Sequence, residues 1–225
     1  MLRLILGRAG TGKTALLFSE IAARCARRQS GSFLIVPEQY SHEAERELAQ
    51  RCGDTASLYA EVLSFSRLAH RVAIGCGGSA RVYIDKPGRF LQLSLALDQV
   101  GGALSVYGGS ARSPERMVQL LSALDELRFG CAAPDALRKA AESATPSLAG
   151  KLRDLALLQE ALDALSAQSG ADPAGRLDVL AEQLPGCAWL RSAKFYIDGF
   201  TDFTAQERRV IRALLPLADV TVCLT

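Results

Sequence analysis

The sequence predicts an α/β protein built on a parallel sheet with crossover helices, into which an all-helical segment is inserted. Short apolar runs alternate with amphipathic helical patterns over the first 75 residues, and the same texture returns after residue 190. Parallel strands need a crossover connection, which is usually a helix. We therefore expect three regions: residues 1–78 begin the sheet domain, 79–190 form the helical insertion, and 191–225 continue the sheet domain.

The first region reads as alternating strands and helices. Residues 2–6 are apolar and predict a strand, and Thr14–Arg28 predicts a helix with Leu16, Leu17 and Ile21 on one face. A basic cluster ends that helix and complements its dipole: Arg24, Arg27 and Arg28. The elements that follow are, in order, a strand at 33–36, a helix at 41–52, a strand at 58–63 and a helix at 66–75.

The remaining chain is helical first and then returns to strands. From residue 87 to about 184, helical patterns are separated by Gly, Ser and Pro, and Pro114 follows Ser113 as a proline at the first helical position does. A strand at 195–197, a helix at 205–215 and a strand at 220–224 follow. The last strand runs to the end of the sequence, so we expect a truncated sheet and a fragment of a longer protein.

Composition excludes several classes of protein. With 225 residues, 49% hydrophobic and 22% charged, the chain is neither disordered nor fibrous. No run approaches the 18 apolar residues of a membrane span, and no signal peptide is recognisable, so a cytoplasmic protein without membrane contact is expected. The six cysteines lack the clustered spacing of a zinc site and are expected to be reduced and buried. Residues 1–90 hold 13 Lys/Arg against 8 Asp/Glu, which suits a polyanionic ligand; alternatively, this charge only reflects uneven solvated faces.

A glycine-rich loop fits the pattern Gly-x-x-x-x-Gly-Lys-Ser/Thr. It reads Gly7, Arg8, Ala9, Gly10, Thr11, Gly12, Lys13 and Thr14. Glycines let the backbone curl so that several N–H groups point at one phosphate, and the following helix adds the positive end of its dipole. Lys13 is expected to reach the β- and γ-phosphates of ATP, and Thr14 to ligate Mg²⁺. The loop therefore predicts a P-loop NTPase fold with ATP and Mg²⁺ as cofactors.

Asp198 is the expected second magnesium ligand, because it directly follows the strand at 195–197. P-loop motors usually carry a glutamate next, which polarises the attacking water, and here that position is Gly199. A missing general base costs roughly two to four powers of ten in rate. We therefore expect nucleotide binding with little hydrolysis. Glu38, after the strand at 33–36, is a candidate substitute for the base; the alternative is a polar residue that only opens the next helix.

Three further segments, at 36–39, 62–69 and 196–201, together with the loop at 7–14, resemble the AddB family, the B subunits of the AddAB ATP-dependent helicase/deoxyribonuclease. The resemblance covers both α/β regions and implies a superfamily 1 helicase-like core. The helical segment matches only in the size and placement of a 1B-like insertion. Two features depart from active helicases: Gly199 and Thr201 replace the Glu and Gln of Asp-Glu-x-Gln-Asp, and only six residues precede Gly7.

The resemblance implies a role in DNA double-strand-break repair and recombination, in a heterodimer with an AddA-like motor/nuclease subunit. This exonuclease complex is expected to bind single-stranded DNA and duplex ends. In the family this core is a non-motor scaffold that helps to read a hotspot sequence in single-stranded DNA, and the iron–sulfur cluster lies in a downstream nuclease domain outside this chain. Gln39, Ser64, Phe65 and Arg67 fall where the family's strand-to-helix loops face DNA. Phe65 could stack on a base and Arg67 could meet a phosphate; alternatively, Phe65 packs in the core and Arg67 is solvated.

Two other functions stay open at this point. The intact loop is compatible with an active P-loop ATPase or DNA translocase. Alternatively, the loop is vestigial and the helical segment docks onto a motor subunit, since its leucine-rich stripes permit an interaction role as well as a core role.

Overall fold

The structure is a computed structural model that describes residues 1–53, 55–76, 82–108 and 113–224. The chain divides into two compact units, one formed by Met1–Ala80 with Arg176–Thr225 and the other by Arg81–Gly175. Among the described residues, no helix has the length and apolar character needed to span a membrane. Each unit has a hydrophobic core of its own, and the two are described separately.

A five-stranded, all-parallel sheet forms the centre of the first unit, as the alternation of strands and helices predicted. Its strands are β1 (Leu2–Leu6), β2 (Ser32–Ile35), β3 (Ala60–Leu63), β4 (Lys194–Ile197) and β5 (Asp219–Leu224). They lie in the order β1-β5-β4-β2-β3, so β5 separates β1 from β4. Because all strands are parallel, the loops that follow β1 and β4 emerge at the same edge of the sheet.

Helices cover both faces of this sheet. Their bounds are α1 (Lys13–Ala26), α2 (Ser41–Cys52), α3 (Phe65–Gly75), α8 (Arg176–Gln183) and α9 (Ala205–Leu214). Alternate residues of β2 belong to opposite cores: Leu34 packs with α1 and α2, whereas Phe33 and Ile35 pack with α3, α8 and α9. Strands buried on both sides read as continuous apolar runs, which is why the sequence revealed them.

The second unit is helical. It contains α4 (Lys86–Val100), α5 (Pro114–Phe129), α6 (Pro134–Glu142) and α7 (Pro146–Ser169), and Pro114 begins α5 as predicted. Leucines and alanines from all four helices share one core. Two buried polar centres accompany it: Arg89 pairs with Asp125 and with Asp172, and Asp154 of α7 is 1% exposed.

The second boundary of the helical unit lies earlier than the sequence suggested, after Gly175 and not at residue 190. Leu180 and Leu184 are buried in the same core as Phe33 and Phe195 of the sheet. The helical pattern of α8 resembles that of the helices before it, so the pattern alone does not show which core it joins.

The expectation that all cysteines are reduced is wrong for one pair, because Cys76 and Cys187 form a disulfide with their Cα atoms 5.6 Å apart. Cys76 directly follows α3 and Cys187 lies shortly after α8, and both helices pack on the same face of the sheet. A sequence separation of 111 residues concealed this pairing. Cys25 and Cys223 are buried thiols, as expected, but the expectation of burial is wrong for Cys52, which is half-buried, and for Cys131, which is exposed.

Candidate nucleotide site

The glycine-rich loop connects β1 to α1 and has the curled backbone that its composition predicts. Gly10 and Gly12 have φ values of +78° and +85°, a left-handed region that glycine adopts without strain. A Cβ at Gly7 would lie 2.7 Å from the Thr11 hydroxyl oxygen, so a larger residue there would force the Thr11 side chain to move. Thr11 Oγ1 donates a hydrogen bond of 2.8 Å to the carbonyl oxygen of Arg8, which holds the turn.

The Lys13 ammonium group and the Thr14 hydroxyl of the motif both make hydrogen bonds within the protein. Lys13 Nζ donates hydrogen bonds to the carbonyl oxygens of Gly7 and Arg8, the second at 2.9 Å. Thr14 Oγ1 donates a 2.6 Å hydrogen bond to Oδ2 of Asp198, which is 8% exposed. Two residues 184 positions apart in sequence therefore meet, and they are the pair that the sequence assigned to magnesium.

The donor set of this pair fits Mg²⁺. A hydroxyl and a carboxylate are hard oxygen ligands, and Mg²⁺ is usually bound by one or two such protein ligands together with phosphates and waters. Asp198 follows β4, and its amide donates a 3.0 Å hydrogen bond to the carbonyl oxygen of Ile35 in β2, which fixes the carboxylate at the sheet edge.

A cavity of about 700 Å³ opens in front of the loop. Residues 9–15 line one side, and Asp198 to Thr201 line another. The third wall is a face of the segment that carries α2, which contributes Tyr40, Glu43, Glu47 and Arg51. The volume lies within the range of small-molecule sites in proteins.

Gly199 has φ +81°, and a Cβ there would lie 3.3 Å from Cδ of Pro37 and 3.8 Å from Cδ2 of Tyr40. Any L-residue at this position would be strained in its backbone and crowded by a proline ring. The position at which a motor carries its glutamate therefore has a backbone conformation and a neighbouring proline that favour glycine. The sequence alone shows the replacement but not this geometric reason.

Carboxylates reach the cavity from α2. Glu38 opens a short 3₁₀ helix (Glu38–Tyr40), is exposed and does not line the cavity. Glu43 and Glu47 do line it, and Glu47 binds Arg51 at 2.6 Å. The Arg51 guanidinium in turn lies 5.4 Å from the centre of the Phe18 ring. Sequence reasoning missed this wall, although the four-residue steps from Glu43 to Glu47 and from Glu47 to Arg51 place all three on one helix face and were a usable signal.

Cys223 of β5 also lines the cavity, beside Asp198. Burial, together with the neighbouring Asp198 carboxylate, raises the pKa of Cys223 to about 11. The thiol is therefore protonated at neutral pH and contributes no charge to the site.

The four candidate DNA contacts differ in accessibility. Phe65 is 4% exposed and its ring packs 5.5 Å from that of Phe200, so the structure places it in the core and gives no support to base stacking. Ser64 is buried and caps α3 by accepting a hydrogen bond from the Arg67 amide. Gln39 is exposed, and Arg67 is exposed but paired with Glu45 at 2.6 Å.

The fold and the site together define a class: a parallel α/β protein with a glycine-rich loop of the phosphate-binding pattern facing an acidic residue at the sheet edge. The family described as "ADDB, N-terminal" matches residues 4–225 of the sequence. The chain belongs to this family, as the sequence resemblance predicted.

Relatives in several bacteria are named as the B subunit of an ATP-dependent helicase/deoxyribonuclease. The chain is 38% identical to the protein of Desulforamulus reducens, over 97% of this chain and 19% of the relative. It is 37% identical to that of Moorella thermoacetica, over 99% of this chain and 20% of the relative. For Geobacillus kaustophilus the identity is 34%, over 100% of this chain and 20% of the relative. The chain thus spans about a fifth of the length of the curated relatives it matches.

Proposed function

We propose that this chain is a P-loop, helicase-like region that binds Mg-ATP and hydrolyses it slowly or not at all. The hydrogen bond between Thr14 and Asp198, directly behind the glycine-rich loop, carries this proposal. In P-loop proteins the same two residue types hold a magnesium ion beside the nucleotide phosphates, and Thr14 and Asp198 would hold it here. Bound Mg²⁺ would neutralise phosphate charge there, with Lys13 and the loop amides binding the remaining phosphate oxygens.

Slow turnover follows from the geometry after Asp198. A water that attacks the γ-phosphate needs a group to orient it and accept its proton. Gly199 has no such group, and its left-handed backbone beside Pro37 disfavours one. The chain's residues therefore support binding and orientation of the phosphates more strongly than hydrolysis, as expected for a non-motor subunit.

The family supports a wider setting for this site. The relatives are named as subunits of an ATP-dependent helicase/deoxyribonuclease, so we propose that the chain acts in DNA double-strand-break repair together with an AddA-like motor subunit. Exposed Gln39 and Arg67, in the loops after β2 and β3, remain candidates for contact with single-stranded DNA or its hotspot sequence.

A turnover measurement tests the non-motor character. The chain is incubated with Mg-ATP in the presence and absence of single-stranded DNA, and phosphate release is followed alongside binding of a fluorescent ATP analogue. The expected result is saturable binding with phosphate release near background in both conditions. Robust DNA-stimulated release that Lys13→Ala abolishes would instead establish an active ATPase or translocase.

If the fluorescent ATP analogue did not bind, the result would favour the alternative in which the loop is vestigial and the chain is an interaction module. If the chain then pulled down an AddA-like partner, and Lys13→Ala did so equally well, that alternative would be supported.

A further inference from the structure

A second cavity lies at the amino-terminal edge of the sheet, opposite the nucleotide site. It has a volume of about 390 Å³ and is lined by the residues where β4 and β5 begin and by the turn that leads into β5. Lys194 is the first residue of β4 and pairs in register with Ser32 of β2 and Asp219 of β5. This cavity shares no lining residue with the nucleotide cavity.

Three side-chain cations and the Met1 amino group line this second cavity, against one acid. Arg24 is held by neutral acceptors only: its Nε donates to Ser32 Oγ at 2.8 Å and its Nη2 to the carbonyl oxygen of Ser30 at 3.1 Å. Within the described part of the chain, Arg191 and Lys194 have no acidic partner. Asp219 is the single acidic lining residue, and it accepts a 3.1 Å hydrogen bond from the Met1 amino group.

The positive charge continues beyond the cavity. Arg27 and Arg28 directly follow α1, three and four residues after Arg24, and both are exposed. Five side-chain cations therefore lie where α1 ends and β4 begins: Arg24, Arg191 and Lys194 line this cavity, Arg27 is exposed beside it in sequence, and Arg28 lines a neighbouring cavity together with Arg51. A single metabolite phosphate would use the cavity alone, whereas a charged strip of this extent suits an extended polyanion.

We propose that this edge binds the phosphodiester backbone of a nucleic acid strand. Protein–protein interfaces have an apolar core that is depleted in charged residues, whereas nucleic-acid interfaces are more polar and much more positively charged. The surface of this cavity is mostly polar, and its cations are unpaired or bonded to neutral groups. Contacts of this kind position a strand without reading its sequence. The proposal concerns a different edge of the sheet from the nucleotide site and stands independently of it.

Fluorescence anisotropy with a labelled 20-nucleotide single strand tests the proposal on the 225-residue chain. Arg191→Ala/Lys194→Ala removes two cations of the edge, and Lys139→Ala/Lys151→Ala removes the same charge from exposed positions of α6 and α7. The first variant is expected to bind about tenfold more weakly at 0.1 M salt and to reduce the slope of log K against log[salt] by about 1.4, since each lost contact contributes about 0.7. The second variant should bind as the unchanged chain does.

Thermal unfolding of both variants confirms that they are folded. Arg191→Lys/Lys194→Arg keeps the charge and is expected to retain binding, which separates charge from packing. Equal losses in both alanine variants would assign binding to net charge, and no loss in the edge variant would place the strand elsewhere; either result overturns the proposal. Equally strong competition by polyglutamate and by unlabelled strand would also overturn it, in favour of an acidic protein.

Discussion

Gly199 is the residue at which sequence and geometry agree most closely on function. The sequence shows a glycine where a motor carries its glutamate, and the structure shows that a glutamate there would be strained: φ is +81° and Pro37 Cδ is 3.3 Å from a Cβ. A reversion of this single position therefore cannot be expected to make a motor.

Gly199→Glu is predicted to leave ATP turnover at background and to lower the free energy of unfolding by about 1–2 kcal/mol, the cost of a left-handed backbone for an L-residue. Phosphate release and urea unfolding measure the two effects. Gly101→Glu is the control, because Gly101 has φ −55° and nothing within 4 Å of its Cβ position. A hundredfold rise in turnover for Gly199→Glu would show that the site accepts the base after all.

Among the elements, α7 supplies a buried carboxylate that organises the turn before α5. Asp154 accepts hydrogen bonds from the amides of Ser105, Val106 and Tyr107 at 2.9, 2.7 and 3.0 Å. Burial acts to raise the pKa of Asp154, but these hydrogen bonds outweigh it, so the pKa lies below its ordinary value. The folded state therefore favours the ionised carboxylate of Asp154 more than the unfolded chain does.

Asp154→Asn is predicted to destabilise the chain by about 2–3 kcal/mol at pH 7, since hydrogen bonds to a charged acceptor are lost. Because the pKa of Asp154 is lower in the folded state, the carboxylate stabilises the fold at pH values above its pKa in the unfolded chain, about 3.9. This stabilisation is lost as the pH falls through the pKa of the folded state. The difference between variant and unchanged chain should therefore shrink below about pH 4. Urea unfolding at pH 7 and at acid pH measures the difference in the free energy of unfolding between the variant and the unchanged chain. A difference that does not depend on pH would contradict a role for the ionised carboxylate.

Much of the α/β fold could be predicted from the sequence, with strand and helix ends within two residues of those observed. β2 is bounded by Gly31 and Pro37, and α9 begins at a capping box of Thr204 and Glu207, so local chemistry defines these ends. The partner of α8 could not be predicted, because a helical pattern marks a buried face without identifying the core that covers it.

The candidate site was predictable where it depends on a contiguous motif. Residues 7–14 and the meeting of Thr14 with Asp198 follow from the loop pattern and from parallel strands ending at one edge. The wall formed by Glu43, Glu47 and Arg51 follows from how α2 is rotated against α1, which tertiary packing determines. Tertiary packing also determines whether Phe65 lies in the core or faces DNA, so the sequence left both possibilities open.

At the scale of the whole molecule, the disulfide between Cys76 and Cys187 closes a chain loop that contains the entire helical unit. Cross-linking a loop of about 100 residues stabilises a fold by about 4–5 kcal/mol in the chain-entropy model. Dithiothreitol is therefore predicted to lower the free energy of unfolding by about that amount. Urea unfolding with and without reductant measures it, and Cys76→Ser, which should not respond to reductant, is the control. Equal stability in both conditions would contradict a formed disulfide.

The most direct test of the central claim is a calorimetric titration of Mg-ATP into the chain, into Lys13→Ala and into Lys139→Ala, a lysine exposed on the helical unit. Saturable binding is predicted for the unchanged chain and for Lys139→Ala. Lys13→Ala should bind about 30-fold more weakly, because a charge-assisted hydrogen bond is worth about 2 kcal/mol. Equal affinity in all three proteins, or no heat of binding in any of them, would contradict a working phosphate site at residues 7–14.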